Sequence, residues 1–237
     1  MHGKRALVTG AGTRIGRAIA EELHLQGWRI AVHYNQSREE AGLVSKLLDN
    51  APLVQGDQSR DPERIVAEAA KALSGLDLLV CSAAQFGKKE PSESLAREKF
   101  EAMLAVNLVG PFYLMQAALP HLRASRGSIV NLLDLCGTSQ VWRGYAHYAA
   151  SKAGLATLTK LLALEWAPDV RVNAVAPGVA QFPEAMQDKE RELLIARIPL
   201  GHAGTARDVA QAVAYLASAP FVTGQILAVD GGRAVNP

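Results

Sequence analysis

Tyr148 and Lys152 stand four apart in the run Tyr-Ala-Ala-Ser-Lys, inside a long stretch rich in alanine and leucine. On a helix, residues four apart share one face, with Cβ atoms roughly 5–6 Å from each other. An ammonium so placed favours the ionised phenol and draws down a pKa that is ordinarily about 10. A tyrosine tuned in this way exchanges protons near neutral pH, as a general acid or base must. The same spacing also describes a plain solvated pair on a helix surface, so the pair needs support from the rest of the chain.

That support begins near the N-terminus. The first apolar run ends in Thr9-Gly10-Ala11-Gly12-Thr13-Arg14-Ile15-Gly16, and a helical pattern follows. Small residues between a first strand and a first helix let the backbone approach a pyrophosphate where unpaired amides point outward, which predicts dinucleotide binding. Arg14 is anomalous, because a cation at a helix N-terminus opposes the macrodipole. A bound anion or an electron-rich substrate compensates it, as does a side chain that swings into solvent. At the end of the second strand an acidic residue ordinarily accepts the ribose 2′-hydroxyl of NAD, but here the chain reads His33-Tyr34-Asn35-Gln36-Ser37-Arg38. With no carboxylate there to repel a 2′-phosphate, NADP(H) is expected. Asp57, after the third strand, is either an acceptor for the adenine amino group or a turn residue.

The elements that must position these residues alternate. Arg5–Thr9, Arg29–His33, Pro52–Gln55, Leu76–Cys81, Ser128–Leu133, Arg171–Ala174 and Gln225–Val229 read as strands. Helices are expected at Arg14–Gln26, Glu39–Leu48, Pro62–Leu73, Lys99–Ala124, Tyr145–Trp166, Ala185–Ile198 and Ala206–Ala219, with Gly27 and Gly75 where C-caps belong. Continuous apolar strands joined by long crossovers predict an α/β fold, a Rossmann-type doubly wound parallel sheet of about seven strands. Residues 1–237 are expected to form one domain, with the proline-punctuated segment 181–204 covering a pocket.

Composition narrows the partners. The 25 basic and 23 acidic residues nearly cancel and are scattered, so neither nucleic acid nor a membrane surface is expected as partner, and the ligand should be small. Cys81 and Cys136 show no paired spacing and read as packed thiols in a reducing compartment. No apolar run is expected to span a membrane, the first is too short for a signal peptide, and a cytoplasmic location follows. No Cys, His and carboxylate cluster suggests a metal, and His33 and His147 lack ligand spacing.

With the glycine turn, Asn107, Tyr148-x-x-x-Lys152 and Pro177-Gly178 in this order, the chain resembles the short-chain dehydrogenase/reductase family over nearly its full length. Arg14 stands where that family's turn normally has glycine. Together with Asp134 in place of the usual catalytic serine and Phe86 after strand four, it looks like the pteridine reductase branch. The resemblance implies that Tyr148 donates the proton, Lys152 holds the nicotinamide ribose and lowers the phenol's pKa, Asn107 positions a water relay, and Asp134 assists Tyr148. It implies cofactor contacts at Gly10, Thr13, Arg14, Ile15, Gly16, Asp57, Ser82, Ala83, Ala84, Pro177, Gly178 and Val179, with Asn35 and Ser37 near the 2′-phosphate. Arg14, Phe86, Asp134 and Tyr148 would meet substrate, Phe86 stacking a flat ring against the nicotinamide. A homotetramer is implied as well. Three departures stand out. Ala84 lacks a hydroxyl that the branch often carries. Val179-Ala180-Gln181 lacks the usual threonine. The interval from Asp134 to Tyr148 is one residue longer than the family's usual spacing, so whether the carboxylate reaches the phenol depends on how that loop folds.

The aspartate changes the chemistry expected. A serine hydroxyl donates to the oxygen that gains charge when hydride reaches a ketone, whereas an ionised carboxylate only accepts and repels that oxygen. A ring C=N bond has a nitrogen that must be protonated, which suits a carboxylate beside a phenol. The expectation is therefore an NADPH-dependent pterin reductase, dihydropterin to tetrahydropterin, with dihydrofolate a further candidate substrate. Two competitors are kept: a ketone or 3-oxoacyl reductase with another oxyanion donor, and a regulatory protein that binds NADP(H) without turnover. In Asp134, Trp142 and Tyr145 the bland alternatives are a strand-end turn residue and loop packing.

Overall fold

The computed structural model describes residues 3–182 and 186–236. Seven parallel strands form one sheet: β1 (Arg5–Val8), β2 (Arg29–Tyr34), β3 (Leu53–Gln55), β4 (Leu78–Cys81), β5 (Ser128–Leu132), β6 (Arg171–Pro177) and β7 (Ile226–Val229). Their order across the sheet is β3-β2-β1-β4-β5-β6-β7. The order reverses between β1 and β4, and in open α/β sheets ligands lie beyond the strand carboxyl ends at such a point.

Alternation along each strand builds two cores. Ala6, Val8, Ile30, Val32, Val80 and Val130 face α1 (Arg14–Leu25), α2 (Arg38–Leu47) and α8 (Ala206–Ser218). Leu7, Ala31, Leu79, Ile129 and Val172 face α3 (Pro62–Leu73), α5 (Gly110–Ser125) and α6 (Ala146–Glu165). Both faces of the central strands are covered, which is why they read as unbroken apolar runs. Helix ends follow local chemistry. Gly27 (φ +84°) and Gly75 (φ +122°) follow α1 and α3 in conformations that L side chains rarely adopt. Thr205 and Asp208 form a reciprocal capping box at the start of α8.

Three expectations need correction. The helix expected at Lys99–Ala124 is α4 (Arg97–Leu104) and α5 joined by a π-helical turn over Ala105–Val109, and that turn carries Asn107. Residues 97–125 are long and apolar enough to cross a membrane by length and composition alone, a test that a buried core helix also passes. Here Leu114, Met115, Ala118 and Leu122 from this stretch are buried in the core. The helix expected from Ala185 is the shorter α7 (Asp188–Ile195), and Ala185 itself lies outside the described residues. Strand β6 runs on to Pro177, three residues beyond its apolar signal, and so delivers Pro177-Gly178-Val179 to the carboxyl edge.

Candidate active site

The turn after β1 is built by close backbone approaches. A Cβ at Gly16 would overlap the Gly10 carbonyl oxygen, and one at Gly10 would meet the Ala83 Cα at 3.0 Å. Thr9 Oγ1 accepts from the amides of Ser82 and Ala83, both at 3.0 Å, tying this turn to the segment after β4. The Gly10 amide donates to His33 Nδ1 (3.2 Å), so the ring proton sits on Nε2, which donates to the Gly56 carbonyl (3.0 Å). Burial holds His33 down to about 4, so the imidazole is neutral and locks three strand ends together. The sequence marked His33 only as lacking metal-ligand spacing. This cradle, which any side chain would fill, fits a dinucleotide phosphate.

Arg14 takes φ +51°, in the left-handed region. The glycine that the family usually has there is explained by that backbone, and arginine at this position carries about 1–2 kcal/mol of strain. Its guanidinium reaches across the cleft, Nε donating to Gln181 Oε1 at 3.3 Å. Thr13, Ile15, Asn35, Ser37 and Asp57 line the same cleft. Asp57 Oδ1 accepts from the Ser59 amide (2.9 Å) and hydroxyl (2.6 Å), and the bond from that hydroxyl leads the causes that hold its pKa down. The carboxylate is therefore a working turn residue at the cleft edge.

The reactive pair lies at the other side of the switch point. Tyr148 on α6 donates to Asp134 Oδ2 at 2.9 Å, and Asp134 Oδ1 accepts from the Cys136 amide at 2.8 Å. Both carboxylate oxygens therefore act as acceptors. The extra residue of the loop is absorbed without loss of reach. Thr138 Oγ1 donates to the Asp134 carbonyl (2.6 Å), the amides of Thr138, Ser139 and Gln140 turn back onto Leu135, and Gly137 takes φ +89°. Burial raises the Asp134 carboxyl above its ordinary range, opposed by the hydrogen bonds from Cys136 and Tyr148. Tyr148 is pushed up strongly, first by burial and then by the charge of Asp134.

The balance between Asp134 and Lys152, which the sequence leaves open, falls on the raising side in the protein alone, and Lys152 is not among the groups that shift the phenol. Lys152 is only 3% exposed, its Nζ donates to the Leu132 carbonyl at 2.7 Å, and burial brings it down to about 8. Nζ lies 5.8 Å from the Tyr148 ring centroid. Asn107 is fully engaged: Oδ1 accepts from the Gln85 amide and Nδ2 donates to the Gln85 carbonyl, both at 2.8 Å. It pins the segment that carries Phe86. The π-helical turn is what aims the carboxamide at that backbone, and π-bulges often mark functional positions.

Phe86 is 48% exposed and meets Tyr148 edge-on at 4.9 Å between centroids, with Tyr145 at 5.3 Å and Trp142 at 6.4 Å. Trp142 and Tyr145, read from sequence chiefly as loop packing, therefore line an aromatic wall. Ser82, Ala83, Ala84, Pro177, Gly178 and Val179 complete a cleft of about 1870 Å³. A single small-molecule pocket is usually roughly 300–1,000 Å³, so there is room for a dinucleotide and a second ligand. Phe182, Leu193, Leu194 and Arg197 line it from within the segment expected to cover it. Sequence reasoning missed Gln58, which is buried and donates to the carbonyls of Ala83 (2.9 Å) and Val106 (2.8 Å), and Arg233 in the turn after β7. Neither has a local signature, because both matter only through segments distant in the chain.

Comparisons with known proteins agree with this architecture. Residues 10–234 match the family model described as Enoyl-(Acyl carrier protein) reductase. The chain is 37% identical to Nodulation protein G of Rhizobium sp. (strain N33), covering 98% of both proteins. It is 35% identical to the 3-oxoacyl-(acyl-carrier-protein) reductase FabG of Rickettsia bellii, over 98% of this chain and 97% of that protein. It is 35% identical to 3beta-hydroxysteroid dehydrogenase 1 of Eggerthella lenta, over 100% and 96%. A parallel sheet in this order, a glycine turn under its switch point, Tyr148 and Lys152 on one buried helix face and full-length relatives of this kind place the chain in the short-chain dehydrogenase/reductase family of oxidoreductases.

Proposed function

We propose that this protein is an NADPH-dependent reductase of a flat nitrogen heterocycle, a pterin, with Tyr148 as proton donor to the ring nitrogen. The observation that carries the reading is the 2.9 Å bond from the Tyr148 hydroxyl to Asp134, a carboxylate whose two oxygens both accept. When bound, the reduced nicotinamide supplies the hydride. As the hydride reaches the ring carbon, the C=N electron pair moves to nitrogen, and the proton held on Tyr148 completes the N–H bond. Asp134 orients the phenol and accepts from ring N–H groups, while repelling the alkoxide that a ketone would generate. Burial keeps Tyr148 protonated, which suits a donor in the reducing direction. Phe86, Trp142 and Tyr145 offer faces for a planar ring. NADPH over NADH rests on the absence of a carboxylate at the end of β2, with Asn35, Ser37 and Arg38 in its place.

A second reading has independent support. Relatives of this chain carry the name 3-oxoacyl-(acyl-carrier-protein) reductase, and none of the relatives named above is a pterin enzyme. Kinship therefore favours a carbonyl substrate, while the geometry at the reacting atom favours the heterocycle. Following NADPH absorbance against dihydropterins, dihydrofolate and a 3-oxoacyl thioester in parallel decides between them. The pterin reading expects oxidation with the dihydropterin and loss of most of that activity in Asp134→Ser. Turnover of the thioester with activity kept or raised in Asp134→Ser overturns it. NADPH binding without any turnover points to the regulatory alternative.

The exposed apolar side chains Val109 and Tyr113 beside α5, and Leu161 and Leu164 on α6, suit the homotetramer that the family resemblance implies. A cytoplasmic enzyme is the companion expectation.

A further inference from the structure

Arg233 is 8% exposed, lines the cleft and follows β7 in the Gly231-Gly232 turn. Its guanidinium lies 5.6 Å from the centroid of the Trp142 ring. The two carboxylates that act on it are spent elsewhere. Asp230 accepts from the amides of Gly232 (2.9 Å) and Ala234 (2.6 Å), and Asp134 accepts from Cys136 and Tyr148. Among the described residues, no side chain forms an ion pair or hydrogen bond with this buried cation. A second cation, Arg197, lines the same region and adds repulsion rather than relief. Among the described residues of the substrate half of the cleft, the cations Lys89, Arg143, Arg197 and Arg233 face two carboxylates, Asp134 and Glu190. The guanidinium opens onto the cleft instead of being sealed in the core, and a planar fork of donors matches an oxyanion. Backbone contacts hold the residue in place, since Gln140 Nε2 donates to the Arg233 carbonyl at 3.0 Å and Trp142 Nε1 donates to Gln140 Oε1 at 3.4 Å.

We propose that Arg233, seconded by Arg197, is an anion subsite that takes a carboxylate or phosphate carried by the substrate, so that the enzyme prefers acidic members of its substrate class. The proposal rests on the reading that this cleft holds substrate beside Tyr148, and it applies to either substrate class. A pterin would present the carboxylates of a glutamyl tail, and a thioester the phosphate of its pantetheine arm.

The test begins with binding, so that it does not depend on which substrate is reduced. Protein loaded with NADPH is titrated calorimetrically with p-aminobenzoyl-glutamate, with pantetheine 4′-phosphate, and with uncharged pantetheine as the control. Wild type should bind at least one of the two anions more tightly than the neutral control, the tighter one naming the source. Arg233→Met should weaken that anion on the order of tenfold or more, and Arg233→Lys less. Should Arg233→Met fail to fold, Arg197→Met, on the exposed rim, should weaken the same anion about threefold. Where turnover is found, the ratio of kcat/KM for dihydrofolate to that for a dihydropterin with a neutral side chain, or for the phosphorylated to the unphosphorylated thioester, should fall by the same factor in Arg233→Met. Wild-type protein that binds neither anion, or variants that weaken anion and neutral control equally, would overturn the subsite. Anion binding without reduction of any substrate would instead leave the subsite standing and remove the proposed reaction.

Discussion

The two halves of the cleft are made of different material. Beneath the β1–β3 edge the wall is largely backbone, with Gly10 and Gly16 in close approach to neighbouring main chain and a neutral His33 stitched between Gly10 and Gly56. Beyond β4 to β7 the wall is side chains drawn from three separate segments: Phe86, the stretch that carries Asp134, Trp142 and Tyr148, and Arg233. A backbone cradle recognises what every dinucleotide shares, whereas a side-chain wall can be changed one residue at a time. Relatives about 35% identical to this chain carry names as different as a 3-oxoacyl reductase and a hydroxysteroid dehydrogenase, as expected where one fold hosts different sites.

Substitutions can break or sharpen that contrast. The largest effect is expected at Gly16, where a valine Cβ would overlap the Gly10 carbonyl. Gly16→Val should cost about 3 kcal/mol of stability in denaturant titration and abolish NADPH binding at micromolar concentrations. Retained cofactor affinity would show that the cradle is not rigid. Next is Asp134→Asn, which keeps shape and removes charge. On a ring C=N substrate kcat/KM should fall on the order of a hundredfold. The phenol's pKa should also drop toward its ordinary range, moving the alkaline limb of the rate profile to lower pH. An unchanged profile would mean that the charge on Asp134 does not act on Tyr148.

A smaller effect belongs to His33. Its folded pKa of about 4 lies below the unfolded value of about 6.5, so the folded state binds fewer protons and stability increases with pH between the two. As pH falls from 6.5 to 4, wild type should lose on the order of 2–3 kcal/mol that His33→Gln does not lose, measured by urea unfolding. Matching curves for the two proteins would remove His33 from the acid response. Smallest is Arg14→Gly. It relieves the φ of +51° but loosens the unfolded chain, for a net gain of about 0.5 kcal/mol in thermal unfolding. It also removes the bridge to Gln181, so accessibility of the 181 segment to protease should rise.

The legibility of this molecule from its sequence divides along the same line. The glycine turn, the strand centres and the Tyr148–Lys152 spacing are local and stood where their residues indicated, while β6 ran three residues beyond its signal. Helix boundaries were less secure: the long middle helix hid its π-helical turn, because one extra residue in a helical register leaves the apolar pattern almost unchanged. The reach of Asp134 to Tyr148 depended on a loop whose added residue is taken up by the Thr138 turn, and no spacing rule foretells that fold. Asn107 was singled out for a water relay and is found bonded to the Gln85 backbone. Arg233 gave no signal at all, since an arginine after a glycine pair is ordinarily a surface residue.

By itself the sequence determined the parallel sheet, the cradle at its switch point and the helix face shared by Tyr148 and Lys152, because periodicity, glycine and residue spacing act over a few neighbours. Tertiary structure alone decided that Tyr148 is held protonated, that Lys152 falls to about 8 and that Arg233 lines the cleft with no ion-pair or side-chain hydrogen-bond partner among the described residues. Those properties come from desolvation and from charges that the fold brings together out of separate segments, and neither exists until the chain has folded.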